Sequence, residues 1–135
     1  MALQLSVAVR NAMLDAIETA IGTSAVMKIR TGAPPAGCAT ADSGTVLATL
    51  TLPSDWMAAA SSGSKAKSGT WEDTSADAAG TAAHYRIYAS DGTTCHMQGT
   101  VTATGGGGDL TVDNVVFAAG QSFTVTSFSL TAANS

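Results

Sequence analysis

The chain has 135 residues, of which 45% are apolar but only 5% aromatic and 12% charged. That length suits one domain with its own core and excludes a two-domain enzyme, while the apolar content excludes a disordered chain, which needs low hydrophobicity and high charge. Ten acidic against six basic residues give a formal net charge of −4, and the bases Arg10, Lys28, Arg30, Lys65, Lys67 and Arg86 are too scattered to neutralise a phosphate backbone, so no nucleic-acid partner is expected.

No run of about 18 apolar residues is present to cross a bilayer, and no membrane partner is expected. Arg10, Asp15 and Glu18 interrupt the apolar pattern near the N-terminus, so no export signal is read there. Cys38 and Cys95 are too few for a disulfide scaffold and too far apart for a CxxC motif. That pattern points to a reducing compartment during synthesis and leaves a later bridge open.

In chain order, Val9, Met13, Leu14, Ile17, Ala20 and Ile21 recur at spacings of three and four, which predicts an amphipathic helix over about 6–21. Ser6 or the residue before it would cap its start, and Gly22 would end it as an αL glycine. The apolar stripe would cover either the protein's own sheet or a neighbouring subunit. Downstream the period becomes two, and a β domain is expected over about 25–132. Residues 25–30 form a first strand, stopped by the Gly/Pro-rich segment from Gly32 to Cys38, and residues 45–52 a second, stopped by Pro53. Residues 57–67 read as a long surface loop and the most mobile part of the molecule.

Residues 84–101 read as a hairpin. A three-residue Ser90-Asp91-Gly92 loop with Gly92 in αL places Ile87 opposite Cys95 and Tyr85 opposite Met97. His84, Arg86, Tyr88, Thr94, His96 and Gln98 then share a polar face. Residues 105–108, all glycine, link this hairpin to a strand unit over 110–117 that returns into 121–131. In the last stretch Phe123 and Val125 lie on one parity and Phe128 and Leu130 on the other, so the buried face must switch near Ser127, by a bulge or a change of sheet. The whole, residues 1–135, is expected to be one domain, mainly β: an antiparallel β-sandwich or small barrel of six or seven strands with one N-terminal α-helix.

No catalytic, cofactor-binding or metal-binding residue is assigned. His84 and His96 lie on one face but lack a third and fourth donor, and no nucleophile, base and orienting acid form a motif. Glu72, Asp73 and Asp77 are a solvated acidic loop without calcium-loop spacing. Trp71 closes the core, whereas Trp56 is left open between core and interface. With the helix stripe, this makes Met13, Ile17, Ile21 and Trp56 the candidate interface residues. The strands over 110–117 and 121–130 carry only Asp113 to blunt their edges, while Lys28 and Arg30 would guard the first strand, so a homo-oligomer built largely on backbone pairing is expected.

Five strings remain: RNAMLDAI from Arg10 to Ile17, KIRTGAPP from Lys28 to Pro35, LATLTLPSDW from Leu47 to Trp56, HYRIY from His84 to Tyr88 and GTTC from Gly92 to Cys95. In this order, and over most of the chain, they resemble a family of small structural proteins encoded by tailed bacteriophages and prophages. The strings are structural rather than catalytic. The resemblance implies a non-enzymatic virion protein, made in the bacterial host cytoplasm, with other virion proteins as partners. A weakly charged β domain rich in Thr, Ala and Gly suits a capsid decoration or cement subunit on the head, bound to the major capsid protein. The alternatives are a tail, fibre or baseplate subunit and, from another class, a carbohydrate-binding module reading a glycan through Trp56 and the tyrosines.

Overall fold

Ser6 caps the helix Val7–Ile21 (α1) through its hydroxyl, which accepts the Val9 N–H at 3.2 Å. Gly22 ends it with φ 94° and ψ −176°, a region beyond αL that only glycine enters freely, and the Gly22 N–H closes on Glu18 O. The computed structural model describes residues 3–133. After the helix come eleven short strands: β1 Val26–Arg30, β2 Val46–Thr51, β3 Ser64–Ala66, β4 Trp71–Asp73, β5 Gly80–Thr81, β6 His84–Tyr88, β7 Cys95–Ala103, β8 Leu110–Val112, β9 Val116–Phe117, β10 Phe123–Val125 and β11 Ser129–Thr131. The fold is mainly β with one N-terminal helix, as the change of period from 3.6 to 2 leads one to expect.

Five strands form a curled half-barrel sheet in the order β2-β1-β6-β7-β8, and the others pair off as β10-β4, β11-β3 and β5-β9. All pairs are antiparallel except β7 with β8, which run parallel, Val101 beside Leu110, because residues 104–109 curl back instead of making a hairpin. The face switch at Ser127 is a change of sheet: β10 pairs with β4 and β11 with β3.

The core lies on one face of the large sheet. Met27 and Ile29 of β1, Ala48 and Leu50 of β2, and Tyr85 and Ile87 of β6 pack there against Trp56, Trp71, Phe117, Phe123 and Phe128. Phe128 ties the small sheets to the large one, with ring centroids 5.4 Å from Trp71 and 5.7 Å, edge-on, from Tyr85. Such offset and edge-to-face pairs stabilise by about 1 kcal/mol beyond their area.

Several expectations are corrected. Residues 57–67 are an anchored hairpin rather than a surface loop. Met57 bridges Lys67, β3 pairs with β11, and Met57 and Lys65 are 1% and 2% exposed. The main hairpin is shifted by two residues, with Ile87 opposite Met97 and Tyr85 opposite Gly99. Its turn is longer than three residues because Asp91 Oδ1 accepts the N–H groups of Thr93 and Thr94, which fixes both outside the ladder, and Ala89 N–H then reaches Thr94 O. His96 is the extra residue where the register shifts. Lys28 and Arg30 guard no edge, since β1 is interior, hydrogen-bonded to both β2 and β6. The β2 edge is closed internally instead: Asp77 N–H donates to Leu47 O at 2.7 Å, and Asp73 Oδ2 accepts Thr49 N–H at 2.9 Å.

Candidate functional site

The face of the sheet opposite the core is polar in sequence and buried in the fold. His84, Arg86 and Tyr88 alternate with the core residues Tyr85 and Ile87, yet all five residues of β6 are buried. What covers them is the loop over residues 31–45. Asp42, the only carboxylate in that loop, hangs over the sheet and accepts from three side chains: Arg86 Nη1 at 2.6 Å and Tyr88 Oη at 2.8 Å on Oδ1, and Arg30 Nη2 at 2.9 Å on Oδ2. Burial pushes the Asp42 carboxyl up, but the hydrogen bonds from Tyr88 and Arg86 and the two guanidinium charges outweigh it and hold the group below its ordinary value.

Arg86, 2% exposed, is the centre of this clamp. Its Nη2 donates to Gly37 O at 3.0 Å and Thr40 O at 2.9 Å, and its Nε donates to Gln98 Oε1 at 3.1 Å. Gln98 in turn donates from Nε2 to Pro35 O at 2.6 Å. A planar fork that serves a carboxylate, two carbonyls and an amide at once is a task lysine cannot perform. The loop closes on a steric match as well: Gly44 has φ 73°, and a Cβ there would lie 2.0 Å from the backbone oxygen of Thr31.

A second buried charge sits under the helix. Lys65 Nζ donates to Asp15 Oδ1 at 2.7 Å and Ala58 O at 2.9 Å and pairs with Glu18 Oε2 at 2.9 Å. Asp15 Oδ1 also accepts Ala60 N–H, and Asn11 Oδ1 accepts Gly63 N–H. Thus α1 docks on the 57–67 hairpin with part of its polar face. Among its apolar residues Leu14 and Ile21 are buried and Ile17 is partly buried, whereas Val9 and Met13 are 46% and 50% exposed. At 100° per residue Val9, Met13, Ala16 and Ala20 form one outward stripe.

The candidate interface residues therefore separate. Met13 lies on the surface and Ile17 at its margin. Ile21 and Trp56 belong to the core, and Trp56 is drawn inside because its indole N–H meets the helix-end carbonyl of Gly22 at 2.9 Å. His84 and His96 do not converge either. His84 is buried opposite Thr100, with Nδ1 donating to Gly32 O at 2.7 Å, while His96 is exposed at the other end of the ladder. In the acidic segment, Asp73 and Asp77 cap β2 through Thr49, and Glu72 is exposed. Among the described residues no three His, Cys, Asp or Glu side chains gather as metal ligands.

An open groove of about 410 Å³ runs between the start of β8 and the β10–β11 connection. It is lined by Thr111, Thr126, Ser127 and Ser129, together with Lys67 and Asp109. Asp109 is already engaged there, since its Oδ2 accepts from Thr100 N and Oγ1. No nucleophile with a base and an orienter lies among these lining groups.

The clamp was missed in sequence because Arg86 and Tyr88 look like an exposed strand face. The available signals were the length of the 31–45 segment and its single acid, set against two arginines on adjacent strands. The chain matches no protein-family model, no curated protein and no solved structure.

Proposed function

We propose that this chain is a non-enzymatic structural subunit of a tailed-bacteriophage virion, a decoration or cement subunit that binds the major capsid protein on the head. In this reading it is made in the host cytoplasm and works as a homo-oligomer. The observation that carries the reading is the seating of α1, which pairs the carboxylates of Asp15 and Glu18 with buried Lys65 and leaves Val9 and Met13 facing outward. A helix held in that orientation by ion pairs offers a ready-made apolar strip to another subunit. The resemblance of the five strings supplies the virion context.

The buried ionisable groups Arg30, Lys65, His84 and Arg86, with the half-exposed Asp42, are engaged in holding the fold. Asp42, Arg30, Arg86 and Lys65 fix a loop and a helix, and His84 fixes Gly32. The glycan-reading alternative loses its means of stacking, because Trp56, Trp71, Tyr85, Tyr88, Phe117, Phe123 and Phe128, the chain's full aromatic complement, are all buried. With β2 closed by its own chain, backbone pairing is left to the β8 end of the sheet, and the helix side chains add a second mode of attachment.

The test is to locate and count the chain on assembled particles and to add purified protein to capsids lacking it. Copies distributed over the head lattice, and loss of binding in Met13→Asp protein that remains folded, are the expected results. Copies confined to the tail would replace decoration by the tail alternative, and absence from particles would overturn the virion reading.

A further inference from the structure

The arginine clamp brings together two residues separated by more than fifty positions in sequence. Arg86 Nη2 bonds the carbonyls of Gly37 and Thr40, on either side of Cys38, and Gln98 holds Pro35. This pins residues 35–42 over the stretch of β7 that contains Cys95, which pairs with Tyr88 beside Arg86. Cys38 and Cys95 are both free and half-buried; Cys95 Sγ donates to Met97 O at 3.6 Å, and the Cys38 thiol is near enough to help push Cys95 up. From this placement we infer that Cys38 and Cys95 are a dithiol–disulfide site, oxidised by low-molecular-weight disulfides to a bridge that locks the 31–45 loop onto β7. The inference is independent of the virion reading.

The exchange balances as two steps. Cys38 loses its proton and its sulfur attacks one sulfur of the reagent RS–SR; that S–S bond breaks, RS⁻ leaves and takes up a proton, and Cys38 carries a mixed disulfide. Cys95 then loses its proton and attacks the Cys38 sulfur, forming the protein bridge and releasing the second RSH. Two protein thiols are oxidised and one reagent disulfide is reduced to two thiols. The order follows from the surroundings of Cys95: burial, and after it the Cys38 thiol, push Cys95 up to about 12. At neutral pH it is the poorer first nucleophile and acts once Cys38 has been activated beside it.

The experiment treats the full chain, folded and reduced, with oxidised glutathione. Samples are quenched in acid, alkylated under denaturing conditions and weighed intact, and thermal unfolding of the oxidised and reduced forms is compared. Expected are loss of both alkylatable thiols, a mass lower by two hydrogens, a peptide joining Cys38 to Cys95, and a higher unfolding midpoint that dithiothreitol reverses. Cys95→Ser protein should stop at a single glutathione adduct on Cys38, and Cys38→Ser protein should react more slowly. Wild-type protein that ends with two glutathione adducts, forms disulfide-linked dimers or keeps both thiols would overturn the assignment. A bridge that lowers the midpoint would overturn the lock.

Discussion

The molecule buries charge in two places, and the two are built in opposite ways. Over the outer sheet face two guanidiniums surround one carboxylate, and Arg86 also donates to two carbonyls and an amide. Under the helix one ammonium is held by two carboxylates. Both cations are sealed at 2% and both acidic sides meet water, Asp42 at 39% against 47% for Asp15 and 19% for Glu18, but Arg86 serves a carboxylate, two loop carbonyls and an amide where Lys65 serves two carboxylates and one carbonyl. What a buried charge contributes depends on what is stranded when it is removed, more than on the number of its ion pairs.

The largest effect is therefore expected at Arg86. Arg86→Met strands Gly37 O, Thr40 O and the Gln98 carbonyl together and leaves Asp42 with only Arg30 and Tyr88. It should cost about 3 kcal/mol, the low end for breaking a buried pair, because Asp42 can rehydrate. Urea denaturation gives the number, and Arg86→Lys should recover only part of it. Lys65→Met should cost less, about 1–2 kcal/mol, since Asp15 and Glu18 can turn to water. If Lys65→Met costs as much as Arg86→Met, the proposed asymmetry between the two sites is wrong.

The pH profile sharpens the same comparison. Asp42 and Asp15 have folded values below their ordinary 3.8. The stability each contributes is complete above 3.8 and is lost as pH falls through the lower folded value. Lys65 is raised above 10.5: burial opposes its charge, but the hydrogen bonds it donates to Asp15 and Glu18 prevail. Its contribution is complete below 10.5 and is lost as pH rises through the folded value. Stability measured across pH should therefore fall at both ends, with Asp42→Asn reducing the acid fall and Lys65→Met the alkaline one. An acid limb unchanged in Asp42→Asn would show that the clamp carboxylate does not govern it.

The smallest change in stability is expected at Met13. Met13→Asp lies on the outward face of a helix already anchored on its other side and should stay within about 0.5 kcal/mol of wild type by thermal or urea unfolding. A cost of several kcal/mol would mean that the stripe is covered within the folded chain. Ile17→Asp should cost more, because Ile17 packs against the core.

How much of this was legible in the sequence differs from element to element. The helix, its Ser6 cap and Gly22 stop were readable, as were strands β1, β2 and β6 and the sheet change near Ser127. Each is set by local periodicity, caps and turn residues within a few positions of one another. The hairpin register was not readable, since the Asp91 carboxylate chose which N–H groups left the ladder; a shift of two residues preserves the parity of Met97 and Gly99, while the extra residue at His96 turns Cys95 to the Tyr88 face. The candidate interface was half readable. Periodicity put Met13, Ile17 and Ile21 on apolar positions of one helix, but the Lys65 contacts decided which of them turned inward.

The sequence by itself determined the class of the molecule: one N-terminal helix followed by short strands, with alternation marking Met27, Ile29, Tyr85 and Ile87 for one face. Only the tertiary structure decided what lies on the other face. Alternation records that two faces differ, and a strand bearing Arg, His and Tyr has the same pattern whether water or a loop with one well-placed carboxylate covers it. Asp42 is more than forty residues from Arg86 in sequence. Their meeting depends on how the 31–45 loop folds back across the sheet, a long-range closure that no local pattern encodes.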